Sequence, residues 1–234
     1  MKKNLILIGL ILLWSCTALY AAPVTFFGED LTGVNGSRVN ADAAHDAFMA
    51  NLSGVGTEDF ENLVGNVLDF GIAGTATLTG SGYVDTSTGA GRWATSGTHY
   101  WAAETGDFTI NFSEAISAFG FYGTDIGDFG GQLSVQYTNG NTNTINVGNT
   151  VGSGGSTNGS VLYFGFYEND PLMAFTSISF LNPSTQDYFG FDDMTIGTFE
   201  QVTPNPNPVP EPATMFLLGI GIVGLAGLGR SKKK

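Results

Sequence analysis

Phe108-Thr-Ile-Asn-Phe112 is the stretch that decides the fold, because apolar and polar side chains alternate along it without interruption. The same alternation recurs at Thr75–Thr79 and at Leu133–Tyr137. A period of two residues is typical of β-strands that bury one face. Asn139-Gly140 follows the last of these runs and predicts a type I′ turn into another strand.

Further strands and one helix complete the predicted body, residues 22–200. Four more apolar segments are expected to be strands: Ala118–Tyr122, Val161–Tyr167, Thr176–Leu181 and Tyr188–Ile196. Asn40 is the predicted N-cap of a short helix that ends at Gly54 and has an apolar face of Val39, Ala43, Ala47, Phe48 and Leu52. Eight or more short strands predict an all-β sandwich, with the helix covering an end or edge of it.

The first 21 residues have the pattern of a signal peptide. Lys2 and Lys3 precede an apolar run from Leu5 to Leu13, and the small residues of Ala18–Ala22 suit cleavage near Ala21 or Ala22. The single cysteine, Cys16, lies within this segment in a sequence that matches a lipidation site poorly. We therefore expect a mature protein without disulfides.

The charge of the predicted body is strongly negative. Residues 22–200 contain two basic residues, Arg38 and Arg92, against 20 acidic ones, which gives a net charge of −18. Such a body repels nucleic acids and other polyanions. The carboxylates favour divalent cations, although a solvated acidic surface that keeps the protein soluble explains most of them.

The C-terminal segment combines three features in a fixed order. A Pro-rich linker at residues 201–212 ends in Pro210-Glu211-Pro212, an uncharged apolar run follows from Ala213 to Gly229, and four basic residues close the sequence: Arg230, Lys232, Lys233 and Lys234. A helix over that run is about 25 Å long, close to the shortest span of a bilayer core. The basic residues are then expected to stay on the cytoplasmic side.

This segment, Val209–Lys234, resembles the PEP-CTERM sorting signal of Gram-negative bacteria. The resemblance implies processing by exosortase, which removes the single transmembrane sorting helix and its basic tail, residues 213–234. A permanent single-span anchor is the alternative. Body segments such as Phe119-Gly-Phe-Tyr-Gly-Thr-Asp125 also resemble PEP-CTERM proteins of biofilm-forming bacteria.

Asp192 and Asp193 are the most informative polar pair. The apolar residues before them, Phe189 and Phe191, are out of phase with those after them, Met194 and Ile196, so a bulge or an inward carboxylate is expected here. The arrangement resembles the last strand of jelly-roll carbohydrate-binding modules, and this resemblance implies a jelly-roll-like sandwich. It also implies a structural Ca²⁺ whose other ligand is Glu61 or Glu29. A solvated Asp pair at a strand start is the alternative reading.

Other polar motifs have simpler interpretations. The Asp residues of Gly123–Gly131 fit a tight turn better than a cation site. Aromatic runs such as Tyr163–Tyr167 are interpreted as core residues rather than sugar-stacking platforms. His45 is expected on the exposed side of the helix, and two histidines are too few for a histidine metal site.

These features together predict an exported, non-enzymatic protein. We expect it to reach the cell surface or extracellular matrix after transient anchoring in the inner membrane, and to bind glycans or cations there. Its expected partners are exosortase and extracellular polysaccharide. The alternatives are a secreted polysaccharide hydrolase, suggested by the many carboxylates, and a surface spacer or adhesion protein.

Overall fold

The computed structural model describes residues 22–34, 36–89, 91–104, 106–126, 131–148, 159–182 and 188–204. The predicted signal peptide, most of the linker and the predicted sorting helix lie outside these ranges. Within them the chain forms, in order, β1 (Val24–Asp30), α1 (Val39–Met49), β2 (Gly56–Glu58), β3 (Val67–Asp69), β4 (Thr75–Gly80), β5 (Tyr83–Asp85), β6 (Tyr100–Ala103), β7 (Phe108–Ile116), β8 (Ala118–Thr124), β9 (Gln132–Tyr137), β10 (Thr142–Asn146), β11 (Val161–Tyr167), β12 (Phe175–Leu181) and β13 (Phe189–Gly197).

The strands form two antiparallel sheets. The seven-stranded sheet has the order β1-β11-β8-β13-β6-β5, with β2 also paired to β13. The six-stranded sheet has the order β10-β9-β12-β7-β4-β3. The predicted all-β sandwich is confirmed, and strands that are distant in sequence are neighbours in both sheets.

The core between the sheets is rich in phenylalanine. Phe180 of the six-stranded sheet stacks on Phe108 at 4.3 Å between ring centroids and meets Phe121 and Phe191 of the other sheet at 5.2 and 4.9 Å. Offset and edge-on ring pairs add to the free energy that burial itself contributes. The alternation in β7 and β9 is confirmed, since Ile110 and Val135 are fully buried.

The helix α1 packs on the outer face of the seven-stranded sheet, over β1 and β11. Gly120 of β8 and Gly165 of β11 are directly paired, and a Cβ atom on either would lie 2.9 Å from the Phe48 ring. The two glycines therefore form a notch that receives Phe48. A Cβ on Gly28 of β1 would lie 2.0 Å from the Asn40 carbonyl oxygen, so the helix backbone rests directly on that strand.

Two details of the helix prediction are wrong. Its buried face consists of Ala41, Ala44 and Phe48, whereas Val39 is 68% exposed. Asn40 lies inside the first turn rather than at the N-cap, and the Asp30 carboxylate accepts from the Asn40 and Ala41 amides, both at 2.9 Å. A carboxylate at the end of β1 thus satisfies donors that a local N-cap usually satisfies.

The hairpin between β9 and β10 is confirmed, but its turn type differs from the prediction. Only Gly140 has a positive φ, of 85°. Its amide donates to Tyr137 O at 3.0 Å, and the Tyr137 amide donates to Asn141 O at 2.9 Å. This geometry is a type I turn followed by a glycine bulge, whereas a type I′ turn needs positive φ at two residues.

Candidate functional site

The bulge predicted at the aspartate pair is present in β13. The register of β13 against β8 shifts between Asp192 and Thr195, and Asp193 has a φ of 46°. Because the extra residue restores the phase, the apolar residues on both sides of the bulge enter the same core. The bulge also turns both carboxylates toward a neighbouring loop.

That loop, residues 95–99, is held by the two aspartates at its start. Asp192 is 1% exposed, and its Oδ2 accepts from the Thr95 amide at 2.6 Å and the Ser96 amide at 3.1 Å. Asp193 accepts from the Ser96 hydroxyl at 2.7 Å, and the Thr95 hydroxyl lies 2.9 Å from Asp193 and 3.1 Å from Asp192. Burial, together with the adjacent Asp193 charge, raises the pKa of Asp192 to about 7.

Glu61 holds the other end of the same loop. It accepts from the Thr98 amide and, at 2.6 Å, from the His99 amide, and its Oε2 lies 2.9 Å from His99 Nδ1. These backbone hydrogen bonds lower the pKa of Glu61 to about 2. A Cβ on Gly97, which has a φ of 51°, would lie 2.3 Å from Glu61 Oε1. We call residues 95–99 the anchored loop.

The four predicted metal ligands do not form one cluster. Glu61 and the aspartate pair bind the same loop, but at its opposite ends. Glu29 lies in β1, three strands from β13 and therefore about 14 Å away across the sheet. In the described ranges no three His, Cys, Asp or Glu side chains are grouped as a metal site. Calcium stays a prediction.

The anchored loop forms one wall of a cleft with a volume of about 480 Å³. We call it the Trp93 cleft, and its lining residues are Val34, Gly36, Arg38, Thr86, Thr88, Trp93, Ala94, Thr95, Ser96, Gly97 and Thr98. Arg38 lies between the anchored loop and β8, because its guanidinium donates to Thr95 O at 2.8 Å and lies 5.3 Å from the Tyr122 ring centre. Arg38 is also 3.5 Å from the Asp42 carboxylate.

Sequence analysis did not identify the Trp93 cleft. The only available signal was the run Trp93-Ala-Thr-Ser-Gly-Thr98, which combines an indole with closely spaced hydroxyls. Its partners Val34, Gly36 and Arg38 come from a distant part of the chain, so the cleft exists only once β13 and α1 are in place.

The remaining motifs are structural in the described residues. The aromatic residues of β8 and β11 are buried, which confirms their interpretation as core. His45 was expected on the exposed side of the helix, but its ring packs against the sheet, 5.5 Å from the Tyr122 ring and 5.1 Å from the Tyr163 ring. Asp125 has a φ of 57°, and its amide donates to Ser160 O at 2.9 Å, which continues the pairing of β8 with β11. Residues 127–130 fall outside the described ranges, so the tight turn stays a prediction.

Several solved structures resemble this chain, at low identity. The C-terminal family 22 carbohydrate binding module of Clostridium thermocellum Xyn10B is 16% identical, with 62% of this chain and 94% of that chain covered and a TM-score of 0.36. The CBM22-1 xylan-binding domain of Paenibacillus barcinonensis Xyn10C is 12% identical, with coverage of 64% and 94% and a TM-score of 0.38. The K2 cleaved adhesin domain of Lys-gingipain is 12% identical, with coverage of 62% and 100% and a TM-score of 0.40.

The C-terminal segment is assigned by sequence. No curated protein matches the chain. Among the residues that the structure describes, no helix is long and apolar enough to cross a membrane, and the predicted sorting helix with its basic tail, residues 213–234, lies beyond them. One family's sequence model, that of the PEP-CTERM protein-sorting motif, matches residues 208–233. The chain therefore carries the sorting motif of PEP-CTERM proteins, the substrates of exosortase.

Proposed function

We propose that this chain is an exported surface or extracellular-matrix protein whose β-sandwich binds a neutral polysaccharide, without catalysis, in the Trp93 cleft. The PEP-CTERM motif supports export, transient anchoring in the inner membrane and processing by exosortase. The observation that carries the binding role is the lining of the cleft, where hydroxyls, backbone and one indole converge.

The chemistry of the lining matches that of a sugar. Thr86 and Thr88 contribute hydroxyls that can both donate and accept hydrogen bonds, as sugar hydroxyls do. The hydroxyls of Thr95, Ser96 and Thr98 already donate to Asp193 and Glu61, and they offer acceptor lone pairs to a sugar. Trp93 also lines the cleft, but it is only 6% exposed, so a small part of the indole reaches the ligand, and its N–H donates to Gly159 O at 3.4 Å. A few convergent polar groups beside an aromatic surface are typical of small-ligand sites.

Charge favours a neutral glycan over an acidic one. Arg38 is the only basic residue in the lining, and its guanidinium is already engaged by Asp42 and Thr95 O. The predicted body has a net charge of −18, which repels polyanions at long range.

The carboxylates under the anchored loop preorganise the cleft. Asp192, Asp193 and Glu61 fix both ends of its wall, so little conformational entropy is lost when a ligand binds. Calcium near these carboxylates is retained as part of the proposal. It would bind the aspartate pair or Glu61, because Glu29 is too distant to share an ion with the pair.

A retention assay tests the proposal. The exported chain is passed over immobilised extracellular polysaccharide of the source bacterium, once with calcium and once with a chelator. Thr88→Trp fills the cleft and is expected to reduce retention at least tenfold. The matched control Thr77→Trp, on the exposed face of β4, is expected to leave it unchanged.

Other outcomes of this assay would contradict specific parts of the proposal. Equal retention of both variants would place binding elsewhere, and no retention of the wild type would favour a spacer or adhesion role. Release of reducing sugars that stops on a single Asp or Glu substitution would establish the hydrolase instead. Deleting residues 208–233 is expected to abolish surface association.

A further inference from the structure

A second pocket lies at the other end of the sandwich, beside the start of β1. Its volume is about 310 Å³, and we call it the N-terminal pocket because Ala22 and Pro23 line it together with Tyr137 and Glu168. Its remaining lining residues are Asn141, Thr142, Asn143 and Met173. No role in sugar binding or metal binding involves these residues.

Glu168 is a buried carboxylate that forms no ion pair with the side chains the structure describes. It is 1% exposed and accepts a hydrogen bond from the Tyr137 hydroxyl at 2.7 Å. Burial raises the pKa of Glu168, and the nearby Asp170 charge acts in the same direction. The ion pairs in the described part of the chain involve other carboxylates, those of Asp42, Asp46 and Glu61. A carboxylate buried in this way is costly unless a positive charge joins it.

The strand register brings the start of β1 next to this carboxylate. Val24 pairs with Tyr167, so the antiparallel register continues with Pro23 opposite Glu168. Directly opposed residues have Cβ atoms about 4.5–5.5 Å apart and point to the same face. Val24 and Tyr167 pack toward α1, so Pro23 and Glu168 point to the opposite face.

Removal of the signal peptide would create the missing cation at this position. When signal peptidase hydrolyses the bond between Ala21 and Ala22, water adds across it. Ala21 keeps a carboxylate, and Ala22 keeps an amine that takes up a proton from solution. We propose that the N-terminal pocket binds this new α-ammonium group through Glu168, so that processing locks β1 onto β11.

This inference is independent of glycan binding and rests on cleavage before Ala22. It means that the unprocessed chain contains the buried carboxylate without its partner. In the processed chain the Glu168 carboxylate pairs with the α-ammonium group and still accepts the hydrogen bond from the Tyr137 hydroxyl. The ion pair fixes the N-terminal end of the edge strand β1. Docking of β1 is therefore coupled to maturation.

The test measures the pKa of the α-amino group in the exported, processed chain. Mass spectrometry first identifies the N-terminal residue. Reductive methylation with ¹³C-formaldehyde then labels the α-amine, and in the sequence the lysines that remain after processing are confined to residues 232–234. The NMR signal of the α-amine is followed against pH. We expect its pKa at least one unit, or tenfold in proton affinity, above the usual value of about 7.7.

Two variants make the test specific. Glu168→Gln is expected to return the α-amine pKa to its usual value. Should that variant fail to fold, insertion of Gly-Ser between Ala21 and Ala22 moves the ammonium away and leaves Glu168 intact, with the same expected loss. Tyr137→Phe keeps the carboxylate and is expected to keep the raised pKa. An equal α-amine pKa in wild type and Glu168→Gln, or an N-terminus other than Ala22, would overturn the inference.

Discussion

Asp192→Ala is expected to destabilise the protein by about 3 kcal/mol and to release the anchored loop. The substitution removes the acceptor of the Thr95 and Ser96 amides, and each buried donor left without a partner costs about 1–3 kcal/mol. Loss of the buried charge offsets part of this cost, and hydration of the freed loop limits the rest.

Urea unfolding at pH 7 measures this effect. With a slope of about 2 kcal/mol per molar urea for a body of this size, the midpoint is expected to fall by about 1.5 M. Hydrogen exchange of peptides that cover residues 93–99 is expected to show faster exchange at Thr95 and Ser96.

Asp193→Asn is the matched control. It keeps a side chain that tolerates the φ of 46° and still accepts from the Ser96 hydroxyl, so its cost is expected to stay below about 1 kcal/mol. A midpoint shift under about 0.5 M for Asp192→Ala, or unchanged exchange at Thr95 and Ser96, would refute the anchoring role of Asp192.

Further predictions concern the helix and the pH dependence of stability. Gly28→Ala places a Cβ 2.0 Å from the helix backbone and is expected to cost about 3 kcal/mol in thermal unfolding, whereas Gly33→Ala, in open space, is expected to stay within about 0.5 kcal/mol. Asp30→Ala removes the acceptor at the start of α1, for a loss of about 1–2 kcal/mol in urea unfolding. The lowered pKa of Glu61 gives stability that is present above about pH 4.5 and lost as the pH falls toward 2. Melting temperatures of Glu61→Gln should lack that acid loss, and an unchanged profile would contradict it. The raised pKa of Asp192 acts oppositely, so its contribution is present below about pH 3.8 and is lost as the pH rises through about 7.

The strands could be predicted from sequence because their signal is local. Leu133, Val135 and Tyr137 alternate with polar residues in the sequence and are buried in the structure. The break in phase at Asp192 and Asp193 predicted a bulge, since a period of two can shift only where an extra residue is inserted.

The contacts that build the cleft could not be predicted in this way. Asp192 binds Thr95 and Ser96, which precede it by 97 and 96 residues, and nothing near either segment indicates the other. The predicted orientation of α1 was wrong because it too depends on residues that are distant in sequence. The apolar pattern of the helix alone is weak. Its orientation is set by Phe48, which packs in the glycine notch of β8 and β11, and by Asp30, which accepts hydrogen bonds from its first turn.

The position of β13 in the seven-stranded sheet has a consequence for folding during export. This strand pairs with β8, β6 and β2, so the sheet lacks its central member until Phe189–Gly197 is available. For a chain that crosses the membrane N-terminus first, β1 to β12 arrive before the sheet can close. Long-range pairing of this kind is slow to form. In such a chain the seven-stranded sheet therefore cannot be completed until almost all of the body has crossed, just ahead of the sorting segment.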